Sequence, residues 1–495
     1  MKILQFLKFI HGHVSDLFSL SFFTMQFSHI HVFVVIYLSF VLKFIPELDK
    51  LPRDSFSYAS MIDAGSSGSR VHVYRYGKLG SKDGELYVLP SHVSFKEKPG
   101  LSSFASNPKE APQTLMALIE FIKKEVPEEM WQHTPLWLKG TAGMRLLLPK
   151  QSEEIMKNIR IFLEQPNNSP FLFQPRMVQV INGVEEGGYG WIAYNYLNRL
   201  IGPKYNSSHE FRSPYAVIEM GGASSQVTAA APANFTAIIP QKSLFTFSFC
   251  GKTFDLYAHS YLGFGGDQAR EALTKSLISA SNTTIIDPCL NVGYQRSNGT
   301  TGANIYDSSG LLDVSIIGGS DRQSCSKAIK ERVFKKNDHR FCSHQESIEY
   351  INTIDCHLQP SWINSIENFL VFENFYWAAS GANVQRSGHN MHDPKELSLF
   401  PLLTNSKLYK EASNEICQMS WKDLNVEYPK DDQGKSNNNR WCFLLSYTAA
   451  FLLDGLKFKP DKVITVQKKV GTAEIEWALG ATYKELTDLF AVENI

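Results

Sequence analysis

Apolar residues in this chain fall in short runs that end on a carboxylate and a glycine turn, and one such run occurs twice. The first reaches Asp63 through Met61-Ile62, passes through Ala-Gly-Ser-Ser-Gly-Ser-Arg70 and leaves as an alternating segment, Val71 to Tyr76. The second, 156 positions later, is Ile218-Glu-Met-Gly-Gly-Ala-Ser-Ser-Gln226, followed by Val227 to Ala231. Period-two alternation around a Gly/Ser turn predicts a β-hairpin. Each turn would hold a carboxylate, backbone N–H groups and Ser hydroxyls together. Glycine admits close approach of a phosphate, successive N–H groups form an anion-binding concavity, and a strand-end carboxylate can hold a hydrated hard cation. Either segment alone also reads as an ordinary Gly/Ser hairpin, but carboxylates at matching offsets favour a facing pair of phosphate loops.

Other periodicities fill the space around the hairpins. Leu115, Leu118, Ile119 and Ile122 predict an amphipathic helix within 109–126. Leu136 to Leu148 reads as a strand, a glycine turn and a helix start, and Met177 to Ile181 as a strand. The segment from Asn182 through Gly187 and Gly188 turns into a helix carrying Trp191, Tyr194 and Leu197. Asn, Ser, Gly and Asp dominate 281–355, which predicts loops cross-linked by cysteines. Segments 363–382 and 440–456 are expected to be buried helices, and 475–483 a turn feeding a terminal helix.

At the N-terminus, Leu17 to Leu42 is a stretch of 26 residues without formal charge. As a helix it would be about 39 Å long, enough for a bilayer with some tilt. Lys43-Phe-Ile-Pro-Glu47 follows it rather than a small-residue cleavage site, so an uncleaved signal anchor at 17–42 is favoured over a signal peptide. Gln26, His29 and His31 leave a partly buried or re-entrant segment open. Lys2 and Lys8 on one side and Lys43, Lys50 and Arg53 on the other leave orientation undecided by charge alone.

With 495 residues, two domains are the starting expectation, and the duplicated loop suggests related halves. Lys+Arg and Asp+Glu are 49 each, so the formal net charge is zero and no basic stripe points to nucleic acid. Any polyphosphate binding must be local. The seven cysteines lie between Cys250 and Cys442 without a CxxC pair, which argues against a structural zinc site and leaves disulfides or free thiols. Sequons at Asn167, Asn206, Asn234, Asn282 and Asn298 add a signal for a non-cytosolic face. With the anchor, they favour a single-pass type II membrane protein whose catalytic portion is lumenal or extracellular.

Five motifs in order, DAGSSGSR (Asp63 to Arg70), GTAGMRLL (Gly140 to Leu147), EEGGYGW (Glu185 to Trp191), EMGGASSQ (Glu219 to Gln226) and WALGA (Trp477 to Ala481), resemble the conserved regions of the apyrase, or ectonucleoside triphosphate diphosphohydrolase, family. SYLGFGG (Ser260 to Gly266) and DPCLNVGY (Asp287 to Tyr294) resemble its Golgi and lysosomal or vacuolar branch. The resemblance implies an α/β fold of two actin-like, ribonuclease-H-like domains with the active site in the cleft between them. Domain I would span 50–182 plus 468–495, and domain II 183–467. The implied reaction is metal-assisted hydrolysis of nucleoside tri- or diphosphates with release of orthophosphate.

Residue roles carry over by motif. Glu186 matches the catalytic base, although a Glu at this place is equally a helix-capping residue; the motif gives catalysis to Glu186 and capping to Glu185. Ser224 and Gln226 match residues that position the attacking water. Asp63 and Glu219 would hold the water shell of Ca²⁺ or Mg²⁺, with Trp477 nearby or simply in the core. Ser66, Ser67, Gly68, Thr141, Gly222 and Ala223 would face phosphate, and Tyr376 would stack on the base unless it belongs to the core. Arg145 is read as structural. The family pairing implies disulfides Cys289–Cys325, Cys342–Cys356 and Cys417–Cys442, with Cys250 left over. One position departs from the pattern: Glu219 stands where the family usually has Asp. The competing readings are an exopolyphosphatase-like hydrolase, a weakly active nucleotide-binding ectodomain and a sugar kinase, for which no catalytic Asp or sugar site is evident. The sequence leaves oligomeric state open.

Overall fold

The computed structural model describes residues 56–78, 86–90, 92–202, 213–233, 235–249, 251–278, 284–296, 306–307, 310–311, 315–334, 349–381, 401–428 and 437–493. The anchor predicted at 17–42, Cys250, Cys342 and the sequons other than Asn167 lie outside them. Among the described residues no helix is long and apolar enough to cross a membrane.

The first sheet begins with the predicted hairpin, β1 (Ser57–Gly65) and β2 (Gly68–Lys78), and continues with β3 (Leu86–Val88), β4 (Val93–Glu97), β5 (Leu136–Gly140) and β6 (Val178–Val180). Its order is β3-β2-β1-β5-β6, with β4 also on β2; β5 joins β1 in parallel and β6 joins β5 in parallel. The second sheet holds β7 (Ala216–Met220), β8 (Ser224–Ala230), β9 (Leu244–Phe249), β10 (Lys252–Leu262), β11 (Phe369–Glu373), β12 (Leu402–Thr404) and β13 (Ile464–Val466). Its order is β12-β13-β11-β7-β8-β10-β9, again a hairpin, β7-β8, followed by two parallel neighbours, β11 and β13. The repeat seen in sequence is therefore a repeat of sheet topology. A third, three-stranded sheet holds Thr284–Asp287, Gln295–Arg296 and Ser315–Gly318 in the region predicted as loops.

Helices occupy the faces of both sheets. Helices α1 (Leu115–Glu125) and α2 (Pro149–Leu163) cover one side of the first sheet, burying Leu118, Ile122, Ile155 and Ile159 against Ile62, Ala64 and Val71. Its other side, through Ala59, Met61 and Tyr74, meets α3 (Gly183–Leu197) and the terminal helix α8 (Trp477–Glu493). The same core takes in Val217, Leu370 and Phe372 of the second sheet, so α3 and α8 form a middle layer between the two sheets. On the far side of the second sheet, Ile218, Phe369 and Val371 pack with α4 (Gly266–Leu277), α5 (Asn374–Gly381), α6 (Ser406–Gln418) and α7 (Asn438–Ala450). Disulfides Cys289–Cys325 and Cys417–Cys442 form as predicted.

Two sequence expectations need correction. Segment 363–382 is not one helix: a short 3₁₀ turn, Ser361–Ser365, leads into it, Phe369-Leu-Val-Phe-Glu373 is a central strand, and Asn374–Gly381 is the α-helical part. A parallel strand buried on both faces is continuously apolar, which periodicity cannot tell from a buried helix. The glycines of EEGGYGW do not make a turn either, because α3 starts at Gly183 and runs through them. They serve close packing: a Cβ on Gly187 would come within 2.5 Å of the Thr228 hydroxyl on β8.

Candidate functional site

Both hairpin carboxylates point into the middle of the molecule. Asp63 shares a strand face with Ala59 and Met61, and Glu219 with Val217, all three in the core around α3 and α8. Each lies two residues before the glycine that ends or leaves its strand, Gly65 or Gly221. The two turns also meet: a Cβ on Gly222 would stand 3.1 Å from the Ser66 Oγ. The hairpins thus close on one pocket. It is lined by Asp63, Ser66, Ser67, Gly68 and Arg70 from the first loop and Glu219, Gly222, Ala223 and Ser224 from the second. Thr141, Glu186 and Trp477 line it as well, and Gln226 bonds to two of the lining residues, so twelve of the thirteen non-cysteine residues singled out from sequence converge here, Tyr376 being the exception.

Glu186 owes its position to the start of α3. Asn182 caps this helix, its Oδ1 accepting from the N–H groups of Val184 and Glu185 at 2.9 Å, while Glu185 Oε2 accepts from the Asn182 N–H at 2.8 Å. That is a capping box with Asn in the first place. Capping therefore occupies Glu185 and leaves the next residue for the pocket. Glu186 is buried and its Oε2 accepts from Arg145 Nη2 at 2.7 Å and from Gln226 Nε2 at 3.0 Å. Gln226 Nε2 also reaches the Ser224 Oγ at 2.6 Å and the Ser260 Oγ at 3.1 Å. Arg145 is anchored by its Nη1 donating to the Ile181 carbonyl at 3.0 Å, so this guanidinium both ties β6 to α3's start and orients Glu186.

The pocket is strongly acidic for a buried place. Asp63, Glu186, Glu219, Glu373 and Glu476 all line it, against Arg70 and Lys96. Burial, reinforced by Glu186, pushes the Asp63 carboxyl up to about 7. Burial and then Glu186, Glu373, Asp63 and Glu476 push Glu219 well above the usual carboxylate range. Burial raises Glu186 as well, against the pull of Arg145, and raises Glu476 to about 8 against Arg70. Asp63 Oδ1 and Glu219 Oε2 are buried without a hydrogen-bond partner. Unpartnered buried carboxylate oxygens are costly unless a cation joins them. Asp63 and Glu219 are hard oxygen donors of the kind that suits a divalent cation bound with its waters.

Sequence reasoning and structure part at several side chains. Tyr376 is buried at the start of α5 and is not among the lining residues; its neighbour Trp377 is 44% exposed and lies edge-on to it at 5.3 Å. Trp477 does line the pocket, with its ring stacked on Tyr189 at 6.4 Å. Lys96, Glu373, Glu476 and Ser260 were not singled out. Ser260 opens SYLGFGG and Glu476 precedes WALGA, so both stood beside recognised motifs, whereas Lys96 on β4 carried no signal.

A family model described as the GDA1/CD39 (nucleoside phosphatase) family matches residues 50–495. The chain belongs to the GDA1/CD39 family. It is 30% identical over 437 residues to "Probable apyrase 3" of Arabidopsis thaliana, covering 87% of this chain and 82% of that protein. It is 29% identical to the bovine (Bos taurus) "Ectonucleoside triphosphate diphosphohydrolase 5", covering 87% of this chain and 88% of that one. The fold matches the crystal structure of nucleoside triphosphate hydrolases from Neospora caninum with a TM-score of 0.57 at 16% identity, over 92% of this chain and 97% of that one. As a GDA1/CD39 member the chain is a nucleoside phosphatase, and the resemblance read from its five motifs holds.

Proposed function

We propose that this protein hydrolyses nucleoside tri- and diphosphates at the pocket between the two hairpin turns, with Glu186 as general base. The observation that carries this reading is the single cluster of Asp63, Glu219 and Glu186, two of them with an unpartnered buried oxygen. Phosphoryl transfer to water needs charge neutralisation, in-line geometry and a proton acceptor near the water. The turn amides and hydroxyls of Ser66, Ser67, Gly68, Thr141, Gly222 and Ala223 bind the terminal phosphates. The carbonyl of Gly222 is engaged by the N–H groups of Asp267 and Gln268, and that of Gly221 by Gly266 and Asn374. These bonds turn the carbonyls away and leave the amide face of the second loop toward an anion.

Ser224 and Gln226 orient the water, and Glu186 accepts its proton as the water oxygen bonds to the terminal phosphorus. The bond from that phosphorus to the bridging oxygen breaks, yielding orthophosphate and a nucleotide one phosphate shorter. Asp63 and Glu219, with Trp477 beside them, would hold Ca²⁺ or Mg²⁺ through its waters, and the ion would supply charge neutralisation for the phosphate oxygens. Arg70 and Lys96 add positive charge on the first loop's side.

Each ribonuclease-H-like sheet with its hairpin belongs to one actin-like domain, 50–182 plus 468–495 and 183–467, with the site in the cleft between them. Disulfides and sequons support a lumenal or extracellular catalytic portion behind an N-terminal membrane anchor. A glycosidase-induced mobility shift of the membrane-fraction protein tests that placement. The function itself is tested by phosphate release from ATP, ADP, UDP and GDP with Ca²⁺ or Mg²⁺. Metal-dependent release is expected, whereas binding without release would make this a nucleotide-binding ectodomain, and release from inorganic polyphosphate alone an exopolyphosphatase-like enzyme.

A further inference from the structure

Beside the phosphate pocket, three side chains from distant parts of the chain bring their ligand atoms together: His72 on β2, His92 just before β4, and Glu476 just before α8. His72 Nδ1 lies 3.0 Å from Glu476 Oε2 and 3.2 Å from His92 Nε2, and all three atoms fall within 4.8 Å of one another. Tetrahedral Zn²⁺ with bonds near 2.0–2.1 Å spaces its donors by about 3.3–3.4 Å, so the two short edges are already those of such a site.

We propose that His72, His92 and Glu476 form a binding site for a tetrahedral transition metal ion of the Zn²⁺ class, separate from the hard-cation site at Asp63 and Glu219. Two imidazoles and one carboxylate suit Zn²⁺ far better than Ca²⁺ or Mg²⁺, which take oxygen donors. The surroundings are also those of a ligand set. His92 makes a hydrogen bond to the Pro90 backbone, the kind of contact that fixes a metal-binding imidazole. Glu476 pairs through its other oxygen, Oε1, with Arg70, leaving Oε2 for the ion. His92 is only half-buried, which gives the ion a route in and leaves room for a water as fourth ligand. Because Glu476 and Arg70 line the phosphate pocket, an ion held here adds positive charge next to the nucleotide without occupying its metal position.

The test uses the whole protein and Co²⁺ alone as the probe, since tetrahedral Co²⁺ absorbs visible light strongly and octahedral Co²⁺ weakly. With excess Mg²⁺ present, Co²⁺ titration is expected to saturate at one intense tetrahedral spectrum per chain, displaced by Zn²⁺. His92→Ala, at a half-buried position outside the proposed catalytic machinery, should keep Mg²⁺-dependent hydrolysis and the wild-type melting temperature while weakening Co²⁺ binding by at least about tenfold. His72→Asn should do the same to the spectrum. An intense spectrum that survives His92→Ala unchanged, or wild-type protein that gives only the weak octahedral spectrum, would overturn the proposal and leave these residues as a hydrogen-bonded histidine pair beside Glu476.

Discussion

The two hairpins share a backbone plan and differ at one cross-strand position. In the first, Asp63 pairs across the ladder with Arg70; in the second, Glu219 pairs with Gln226. Arg70 in turn sits opposite Lys96 on β4, so the first loop carries two cations, and Lys96 Nζ donates to the Ser67 Oγ at 3.1 Å. Gln226 instead sits opposite Ser260 on β10 and bonds to Ser224 and Glu186, so the second loop carries a neutral network ending on a carboxylate. In the proposed reaction, the same turn serves as a charge-bearing phosphate clamp in one half and as a water-orienting device in the other, and the residue facing the carboxylate makes the difference.

The largest expected effect is on the second loop's side. Glu186→Gln keeps shape and hydrogen bonding but removes the proton acceptor, so kcat should fall by about 10²-fold or more while nucleotide binding persists. Steady-state kinetics with equilibrium binding of nucleotide check this, and near wild-type turnover at saturating substrate and metal would make Glu185 the candidate instead.

A smaller effect is expected where the loops are alike. Glu219→Gln should raise the Ca²⁺ or Mg²⁺ concentration needed for half-maximal activity by about tenfold, the loss of roughly 1.4 kcal/mol of cation binding. Glu219→Asp should hold or improve activity, because it restores the shorter carboxylate usual in the family. The longer side chain is accommodated by Gly190 on α3, where a Cβ would lie only 3.3 Å from Glu219 Oε2. Metal titrations of both variants separate these outcomes, and unchanged metal dependence in Glu219→Gln would remove this residue from the cation site.

Smallest is a pH effect on stability without metal. Asp63 and Glu476 have folded values of about 7 and 8, above the ordinary carboxylate range. Raised carboxyl values mean that the folded state holds protons the unfolded chain has released. Their contribution to stability is therefore full below about pH 4 and is lost as pH rises through about 7 to 8. A cation at Asp63 and Glu219 should restore it, so saturating Ca²⁺ or Mg²⁺ against chelator should raise Tm by a few degrees more at pH 8 than at pH 5. Equal shifts at both values would mean that the carboxylates are not the cation's ligands.

Local pattern carried much of this into the sequence. Both hairpins, α1, β6 and α7 follow from periodicity and glycine turns, whereas Glu185 and Glu186 are told apart in the sequence only by the motif match, since either one could cap α3. Legibility ended where the residues depend on distant partners. Arg70 and Glu476 lie 406 positions apart and meet only because α8 returns between the sheets. Strand β11 was read as a helix because burial on both faces erases alternation. Tyr376 and Trp377 look alike as neighbouring aromatics, yet α5 turns the first into the core and the second outward; a sequence cannot say which side of a short helix is covered.

The division of labour between the loops is tested most directly by the split between KM and kcat in Lys96→Met and Gln226→Ala. Lys96 is exposed at the pocket rim and Gln226 is buried in the network. Lys96→Met should raise the nucleotide KM by about five- to tenfold with kcat within about twofold, and Gln226→Ala should lower kcat by about tenfold or more with KM little changed. If both variants instead moved the same parameter by the same factor, the two loops would not hold separate roles.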